Sequence, residues 1–281
     1  MKLITWNIQT CRGCDGRIDP KRIVEHARAL ADFDVLCLQE VSDGFAPLDA
    51  GENQFAQLAA LLPGFTAIAA PAVDLLAPNG GRARFGNLLL SRLPVAHALR
   101  HALPQPFDDA PRSMPRSMLE TTLLTGAGPL RVMTTHLEYF STTQRAAQID
   151  AIRRAHANAC DQARRPITTI PPTNPYGGTP HTASAILTGD FNFAPADPLH
   201  AAVQARDDAP CVPAFVDAWQ HRYPGVVQPD TVGIYDREQW PYAFACDFMF
   251  VTKDLLPRVE RLEVDTATQA SDHQPMLLVL S

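Results

Sequence analysis

The chain has 281 residues, and its 46% hydrophobic content is enough for a sizeable core in one large domain or two ordinary ones. Its formal net charge at pH 7 is −6, which excludes a broad basic surface, so a polyanion would have to bind through a local patch or through metal ions. The segment after Met1 is too short for a signal peptide, and no apolar run is long enough to cross a membrane. We therefore expect a globular, cytoplasmic protein.

The cysteines do not indicate a disulfide framework, although there are six of them. Cys37 and Cys246 lie within apolar, strand-like runs, and the expected cytoplasmic location favours reduced thiols. Cys11 and Cys14 form one C-x-x-C pair, but no second pair follows at the spacing of a zinc site. We interpret these two residues as ordinary loop cysteines.

In chain order, short apolar runs alternate with segments of helical periodicity. The predicted strands cover residues 3–7, 35–38, 65–70, 87–91, 119–124, 130–135, 185–187, 246–251, 258–264 and 276–280. The predicted helices cover residues 18–30, 53–62 and 141–163, with shorter helical pieces at 199–205 and 214–221. Residues 164–184 contain five prolines and few apolar groups, which predicts a weakly ordered surface loop. The alternation, with neither an internal repeat nor a linker, favours one α/β domain over residues 1–281.

A carboxylate and a carboxamide follow the predicted strand at residues 185–187. Gly189 is expected to break this strand and to let the backbone turn, which offers Asp190 and Asn192 to one small site. Polar groups at the ends of buried strands are where α/β proteins commonly place their chemistry. The alternative is an Asx turn, in which Asp190 and Asn192 only fix their own loop.

Other apolar runs end in similar residues. They are Asn7, Glu40, His136, Asp247 and the pair Asp272-His273. Most of these have an ordinary structural explanation when taken singly, but a carboxylate inside the apolar run at 246–251 needs a partner if it is buried, and His273 is the obvious candidate. Oxygen ligands with histidines suit Mg²⁺ or Mn²⁺ better than zinc.

Five motifs together resemble the endonuclease/exonuclease/phosphatase superfamily, to which DNase I-like nucleases belong. They are Thr5-Trp6-Asn7, Leu38-Gln39-Glu40-Val41, Thr135-His136-Leu137-Glu138, Thr188-Gly189-Asp190-Phe191-Asn192 and Ser271-Asp272-His273. They occur in the order of the family and cover nearly the whole chain. The resemblance implies a four-layer α/β sandwich with two mixed β-sheets flanked by helices, and an active site where the strand-end loops meet.

The same resemblance implies a metal site. Glu40 would be the main ligand of Mg²⁺ or Mn²⁺, with Asn7 beside it and Asp272 contributing to the same site. Gln9 stands where some members of the family have an acidic residue, which puts a second metal contact from that position in doubt.

The resemblance also implies catalytic roles. Asp190 would orient and deprotonate the attacking water, and Asn192 would hold a phosphoryl oxygen. His273, braced by Asp247, would stabilise charge on the phosphoryl group, with His136 as a second imidazole on the other side.

Further residues are candidates for substrate binding. Arg116 precedes a strand and either reaches the substrate phosphate or lies on the surface, and Asn87 stands where relatives often have a Gly-Asn pair that opens a strand. Trp240 and Tyr242 precede Asp247 and either stack on a ring of the substrate or pack in the protein.

We therefore predict a monomeric, divalent-metal-dependent phosphoesterase that hydrolyses a phosphodiester by in-line attack of water. The substrate could be a small molecule, a lipid head group or nucleic acid, and the acidic composition favours the first two. The alternatives are a DNA endonuclease or exonuclease, and a catalytically silent relative that binds a phosphorylated ligand. A silent relative would show gaps among the core residues, and the sequence has none.

Overall fold

The computed structural model describes residues 1–109, 112–165, 170, 174, 176, 178–207, 209 and 211–281. In this part of the chain, twelve strands form two six-stranded sheets. The order in sheet I is β11 (Val259–Val264), β12 (Met276–Leu280), β1 (Lys2–Asn7), β2 (Val35–Asp43), β4 (Arg82–Ser91) and β3 (Thr66–Leu76). The order in sheet II is β5 (Val95–Ala102), β6 (Ser117–Thr125), β7 (Gly128–His136), β8 (Ala185–Asp190), β10 (Asp247–Thr252) and β9 (Phe215–Asp217).

The two sheets have the same pattern of strand directions, although the sequence shows no repeat. In sheet I the neighbours β1 and β2 are parallel, and in sheet II the neighbours β7 and β8 are parallel. The other paired neighbours among the described strands are antiparallel, so both sheets are mixed. A parallel pair places the carboxyl ends of its two strands at the same edge of the sheet.

Helices cover the outer faces of both sheets. The helices are α1 (Pro20–Leu30), α2 (Ala46–Asp49), α3 (Gln54–Leu61), α4 (Thr142–Arg164), α5 (Pro198–Val203) and α6 (Ala218–Arg222), with 3₁₀ turns at Gln9–Cys11 and Lys253–Arg258. Ser141 caps α4 as its position predicts, because its Oγ accepts a hydrogen bond of 3.0 Å from the amide of Gln144.

Three apolar cores separate the layers. The core between the sheets contains Leu3 of β1 and Leu119 of β6, both fully buried. A second core joins β2 of sheet I to α1 and α3 through Leu36, Ile23 and Leu58. A third core, in which Leu187 packs with Ile149 and Phe248, joins sheet II to α4 and α5. The order helix, sheet, sheet, helix is the four-layer sandwich that the resemblance implied.

Several elements differ from the sequence prediction. Strand β5 was not predicted, because its sequence Val95–Ala102 has one β-branched residue and many alanines. The piece at 214–221 was predicted as helix, but it begins with strand β9, and Asp217 then caps α6. The prediction that Gly189 breaks its strand is also wrong, because β8 runs through Gly189 to Asp190.

The predicted loop at 164–184 falls largely outside the described residues, since 166–169, 171–173, 175 and 177 are not described. The six cysteines are free thiols, which confirms the expectation that they form no disulfide framework. Among the helices of the described residues, none combines the length and the apolar character needed to cross a lipid bilayer.

Candidate active site

The strand ends of both sheets meet at one edge of the sandwich. Asn7 lies beside Gln39 in the parallel pair of sheet I, and His136 lies beside Asp190 in the parallel pair of sheet II. Asp247 pairs with Asp190 from the other side, across the antiparallel strands β8 and β10. The topology therefore brings together residues from five different strands.

Gly189 allows the strands of sheet II to approach closely at this edge. Its φ is +135°, and a Cβ there would overlap the carbonyl oxygen of Thr135 on β7. Only glycine fits such a position without displacing the neighbouring strand. Gly189 thus holds Asp190 next to His136, which is a different role from the predicted turn.

Asp190 lies at the centre of the site and is 1% exposed. Its Oδ1 accepts a hydrogen bond of 2.9 Å from the amide of Asn192, which has a φ of +54°. This is the predicted Asx turn, but the same carboxylate also serves the site, because its Oδ2 accepts a hydrogen bond of 3.0 Å from Nδ2 of Asn7. Burial raises the pKa of Asp190 to about 6, and the positive charge of His273 opposes this shift.

Glu40 reaches the same cluster because of an irregularity in β2. The pairing of β2 with β4 shifts between Leu38 and Val41, and Glu40 there has a φ of +58°, which is strained for a residue other than glycine. Its Oε1 accepts a hydrogen bond of 3.1 Å from Asn7, and 26% of its side chain remains exposed. Desolvation, followed by the negative charge of Asp272, raises the pKa of Glu40 to about 7.

His273 and Asp247 form the pair that the sequence predicted. His273 Nδ1 lies 2.9 Å from Asp247 Oδ2, and its Nε2 lies 3.7 Å from Asp190 Oδ2. Burial alone would lower the pKa of His273, but the surrounding negative charges, of which Asp247 contributes most, together outweigh it and raise the pKa well above 6.5. His273 is therefore a buried cation in the free protein.

His136 has the opposite charge state. Its Nε2 lies 3.4 Å from Asp190 Oδ2, and its Nδ1 lies 3.9 Å from Glu40 Oε1. Burial, with the positive charges of Arg116 and His273, lowers its pKa well below 6.5. The site therefore holds one protonated and one neutral imidazole.

Asp272 is oriented by an indole. Its Oδ2 accepts a hydrogen bond of 3.1 Å from Nε1 of Trp240, and its Oδ1 lies 3.3 Å from the hydroxyl of Ser271. Trp240 is 7% exposed and contacts His273 edge-to-face, with ring centroids 6.2 Å apart. Trp240 thus packs against the site and also fixes one of its carboxylates.

The sequence over residues 4–273 matches the model of the Endonuclease/Exonuclease/phosphatase family. The chain belongs to this family. No curated protein matches the sequence.

Solved structures of this family share the fold. An endonuclease/exonuclease/phosphatase from Bacteroides vulgatus is 18% identical with a TM-score of 0.71, and the match covers 100% of this chain and 98% of that one. One from Beutenbergia cavernae is 23% identical with a TM-score of 0.63, covering 100% and 72%. A mannosyl-6-phosphatase from Bacteroides thetaiotaomicron is 17% identical with a TM-score of 0.66, covering 100% and 99%. Identities this low establish the fold alone.

The family site opens into a cleft of about 440 Å³. Eight of the candidate residues line this cleft: Glu40, Arg116, His136, Asp190, Asn192, Trp240, Asp272 and His273. Asn7 and Asp247 do not line the cleft and are buried, each with 1% of its surface exposed. Sequence reasoning missed part of the lining, namely Arg112, Met114, Tyr139, Phe140 and Gln239.

Arg116 is buried at 6% exposure, which excludes the surface alternative. Its Nε donates a hydrogen bond of 3.2 Å to Glu138, and its Nη1 is buried without a hydrogen-bond partner. Glu138 belongs to the motif around His136, and the sequence alone did not predict that it binds Arg116. Arg116 therefore brings a guanidinium group to the lining of the cleft, and its unpaired Nη1 lies below the surface.

Asn87 and Tyr242 lie outside the cleft. Asn87 is 2% exposed and donates a hydrogen bond of 2.9 Å to the carbonyl of Ser117 on the other sheet, beside a small cavity next to Arg116 and His136. Tyr242 is 67% exposed and packs against Phe244. The amide of Asn87 thus joins the two sheets, and its role in substrate binding stays a prediction.

The donor set fits a hard divalent cation. Within the described part of the chain, no lysine or arginine forms an ion pair with Glu40, Asp190 or Asp272, and the cationic partners of Glu40 and Asp190 are the histidines His136 and His273. Asp190, Cys246 and His273 also place ligand atoms within 4.8 Å of one another, but burial keeps the pKa of the Cys246 thiol well above its usual value. The carboxylate and amide oxygens are therefore the better match for the metal.

Proposed function

We propose that this protein is a divalent-metal-dependent phosphodiesterase that activates water with Asp190. The observation that supports it most is the position of Asp190, a carboxylate fixed on both oxygens by Asn7 and Asn192, with one histidine on each side. Members of the family generally depend on divalent metals. We also propose that residues 1–281 act as a single catalytic domain.

Glu40, Asn7 and Asp272 are the residues that would hold Mg²⁺ or Mn²⁺. A bound ion would neutralise charge on the phosphoryl oxygens and on the leaving oxygen. The raised pKa of Glu40 supports this assignment, because the carboxylate is difficult to ionise in the free protein and a bound cation would stabilise its negative charge.

Asp190 is suited to the role of general base. A pKa of about 6 leaves it mostly ionised at neutral pH while it remains basic enough to accept a proton from water. Its two fixed hydrogen bonds hold the carboxylate in one orientation, so that little reorganisation is needed when water attacks.

Cationic and neutral donors then face the phosphoryl group. Protonated His273, oriented by Asp247, and the guanidinium of Arg116, which lines the cleft, supply positive charge. Asn192 donates one hydrogen of Nδ2 to the carbonyl of Leu137 at 2.9 Å and keeps the other for a phosphoryl oxygen. Neutral His136 supplies one further hydrogen bond.

The net charge of −6 favours a small or lipid-like phosphodiester over duplex nucleic acid, which is mostly bound through phosphate contacts from lysine and arginine. A nuclease remains the alternative activity within the same chemistry. The cytoplasmic location and the monomeric state stay predictions from the sequence.

The test is hydrolysis of bis(p-nitrophenyl) phosphate by purified protein with Mg²⁺, with Mn²⁺ and with EDTA. We expect metal-dependent release of p-nitrophenol, slower release from the monoester p-nitrophenyl phosphate, and no release with EDTA. The Asp190→Asn variant, purified in the same way, controls for a contaminating enzyme. A folded protein that binds phosphate but hydrolyses neither ester would be the silent relative, and this proposal would be wrong.

A further inference from the structure

Three aromatic side chains form one side of the cleft, and we call them the aromatic wall. They are Tyr139, Phe140 and Trp240. Tyr139 contacts Phe140 and Trp240 edge-to-face, with ring centroids 4.8 and 5.7 Å apart. Tyr139 is 43% exposed and Phe140 is 47% exposed, whereas Trp240 is 7% exposed. The rings of Tyr139 and Phe140 are thus partly exposed in the same cleft that contains the proposed phosphate site.

The backbone under these two rings is held firmly. The amide of Phe140 donates a hydrogen bond of 2.9 Å to Glu138, and Arg145 Nη1 donates to the carbonyls of Glu138 and Tyr139. The next residue, Ser141, is the N-cap of α4. An exposed aromatic pair on an ordered backbone is a preorganised surface, which lowers the entropy lost when a ligand binds.

Glu138 also joins the wall to the phosphate site. One carboxylate receives Nε of Arg116 at 3.2 Å and the amide of Phe140 at 2.9 Å. The guanidinium of Arg116 and the exposed rings, which line the same cleft, are therefore fixed relative to each other. A molecule that carries both a phosphate and a ring would meet both groups in one cleft.

We propose that the aromatic wall selects phosphodiesters that carry a planar aromatic ring on the group retained after hydrolysis. This inference rests on the proposed phosphodiesterase function and names its substrate class. Stacking on an exposed tyrosine or phenylalanine requires a flat π-face, which nucleobases and similar heterocycles provide. Gln9, Gln239 and Arg112 also line the cleft and offer hydrogen bonds to polar atoms at the edge of such a ring.

The size of the cleft favours a small ring-bearing ester. A volume of about 440 Å³ lies within the usual range of small-molecule sites. The acidic chain does not favour a long polyanion. The wall therefore fits one ring beside one phosphodiester.

The experiment compares three p-nitrophenyl phosphodiesters that differ only in the retained group, which is methyl, cyclohexyl or 5′-thymidine. Because all three share the nitrophenyl leaving group, differences in kcat/KM report the retained group alone. Hydrolysis of the methyl ester tests the proposed function, and the ratio of thymidine ester to methyl ester tests the wall. A failure of either proposal is therefore seen separately.

We expect the thymidine ester to be preferred over the methyl ester by about 10-fold or more, which is the scale of one base stacked on an aromatic side chain. The Tyr139→Ala and Phe140→Ala variants should each lose most of this preference, because kcat/KM should fall further for the thymidine ester than for the methyl ester, mainly through KM. Tyr139→Phe keeps the ring and should keep the preference. Tyr242→Ala is the matched control, because that exposed ring lies outside the cleft.

Three results would overturn the inference. A cyclohexyl ester as good as the thymidine ester would show that the wall gives apolar contact and not ring stacking. Equal losses for all three esters in Tyr139→Ala and Phe140→Ala would assign the wall to the leaving group or to folding, and thermal unfolding of each variant separates these two causes. A wild-type protein that hydrolyses the three esters equally would show no selection by the wall.

Discussion

Sheets I and II share one strand topology but carry different chemistry at corresponding positions. Asn7, at the end of β1, corresponds to His136 at the end of β7, and Gln39 beside Asn7 corresponds to Asp190 beside His136. Sheet II thus has a carboxylate where sheet I has a neutral amide. The next strand of each sheet shows the same difference between a carboxylate and an amide. In sheet II, Asp247 on β10 pairs with Asp190. In sheet I, the corresponding strand β4 carries Asn87, one residue before the Leu88 that pairs with Leu38.

The amides of sheet I join the two sheets. Gln39 Nε2 donates to Thr134 Oγ1 on β7 at 2.9 Å, and Asn87 donates to the carbonyl of Ser117 on β6. The carboxylates of sheet II interact with histidines. The acidic groups of sheet I do not come from regularly paired strand residues. Glu40 has a strained backbone within β2, and Asp272 lies in the loop before β12. The topology therefore determines which side chains lie close together. The residue type determines whether they join the two sheets, as the amides do, or contribute to the site, as the carboxylates do.

The largest expected effect comes from making Asp190 resemble Gln39. In Asp190→Asn the base becomes a neutral amide, so kcat should fall by about 10³- to 10⁴-fold. The unfolding midpoint should stay unchanged or rise, because burial disfavours the charge of Asp190, as its raised pKa indicates. Steady-state kinetics with thermal unfolding of the same sample tests both statements. If activity fell only as much as the fraction of folded protein, Asp190 would have a structural role like that of Gln39, and this prediction would be wrong.

A second prediction concerns Asp247, the counterpart of Asn87. His273→Ala should lower kcat by roughly 100-fold, because a positive charge near the phosphoryl group is lost. Asp247→Asn should lower the pKa of His273, since the negative charge that holds it protonated is removed, and the alkaline limb of the rate profile should move to lower pH. The double variant should cost little more than His273→Ala alone. Multiplicative losses would show that the two residues act independently.

The third prediction addresses the acidic group that sheet I supplies. Glu40→Gln keeps the shape of the side chain and removes its charge, so affinity for Mg²⁺ should fall by about 10-fold or more, and activity should partly recover at high Mg²⁺. Calorimetric titration of wild type and variant measures the change. Tyr242→Ala is the control, since this exposed side chain lies outside the cleft and the metal affinity of the variant should be that of wild type. Unchanged Mg²⁺ affinity in Glu40→Gln would refute the ligand assignment.

The smallest expected effect lies on the outer side of sheet II, where buried polar groups serve structure. His156 of α4 contacts Arg131 through Nδ1, and its Nε2 donates to the carbonyl of Pro213 at 2.9 Å. Burial, with the charge of Arg131, lowers its pKa to about 4 from 6.5. Because the pKa of His156 is lower in the folded than in the unfolded protein, the free energy of unfolding is highest above pH 6.5 and decreases as the pH falls toward 4. The decrease from this one residue is about 2 kcal/mol at pH 5. His156→Asn should flatten this part of the pH profile of unfolding, and an unchanged slope would assign the acid sensitivity to other groups.

The sequence was informative about the ends of strands and less so about what surrounds them. Asp190, Asp247 and His273 could be found because charged groups in apolar runs require partners, and their order matched a family pattern. The left-handed backbone of Glu40 could not, since a local irregularity in β2 depends on its pairing with β4.

Other features were hidden because they arise only in the folded chain. Strand β5 lacks the usual strand residues and exists because β6 offers it an edge. Tyr139 and Phe140 look like packing residues in the sequence, and their exposure follows from the position of the loop above the cleft. Arg116 could be assigned only when its partner Glu138 was located in space.

The position of β12 has a consequence for synthesis on the ribosome. This strand lies between β11 and β1, so β1 has no antiparallel neighbour until the segment Met276–Leu280 has been made. Asp272 and His273 directly precede that segment, and they reach the cleft on the same stretch of chain. A nascent chain that stops before residue 272 therefore lacks both the strand that completes sheet I and two groups of the site. If the proposed function is right, translation intermediates should be inactive, and phosphoesterase activity should appear only when β12 has been inserted between β11 and β1.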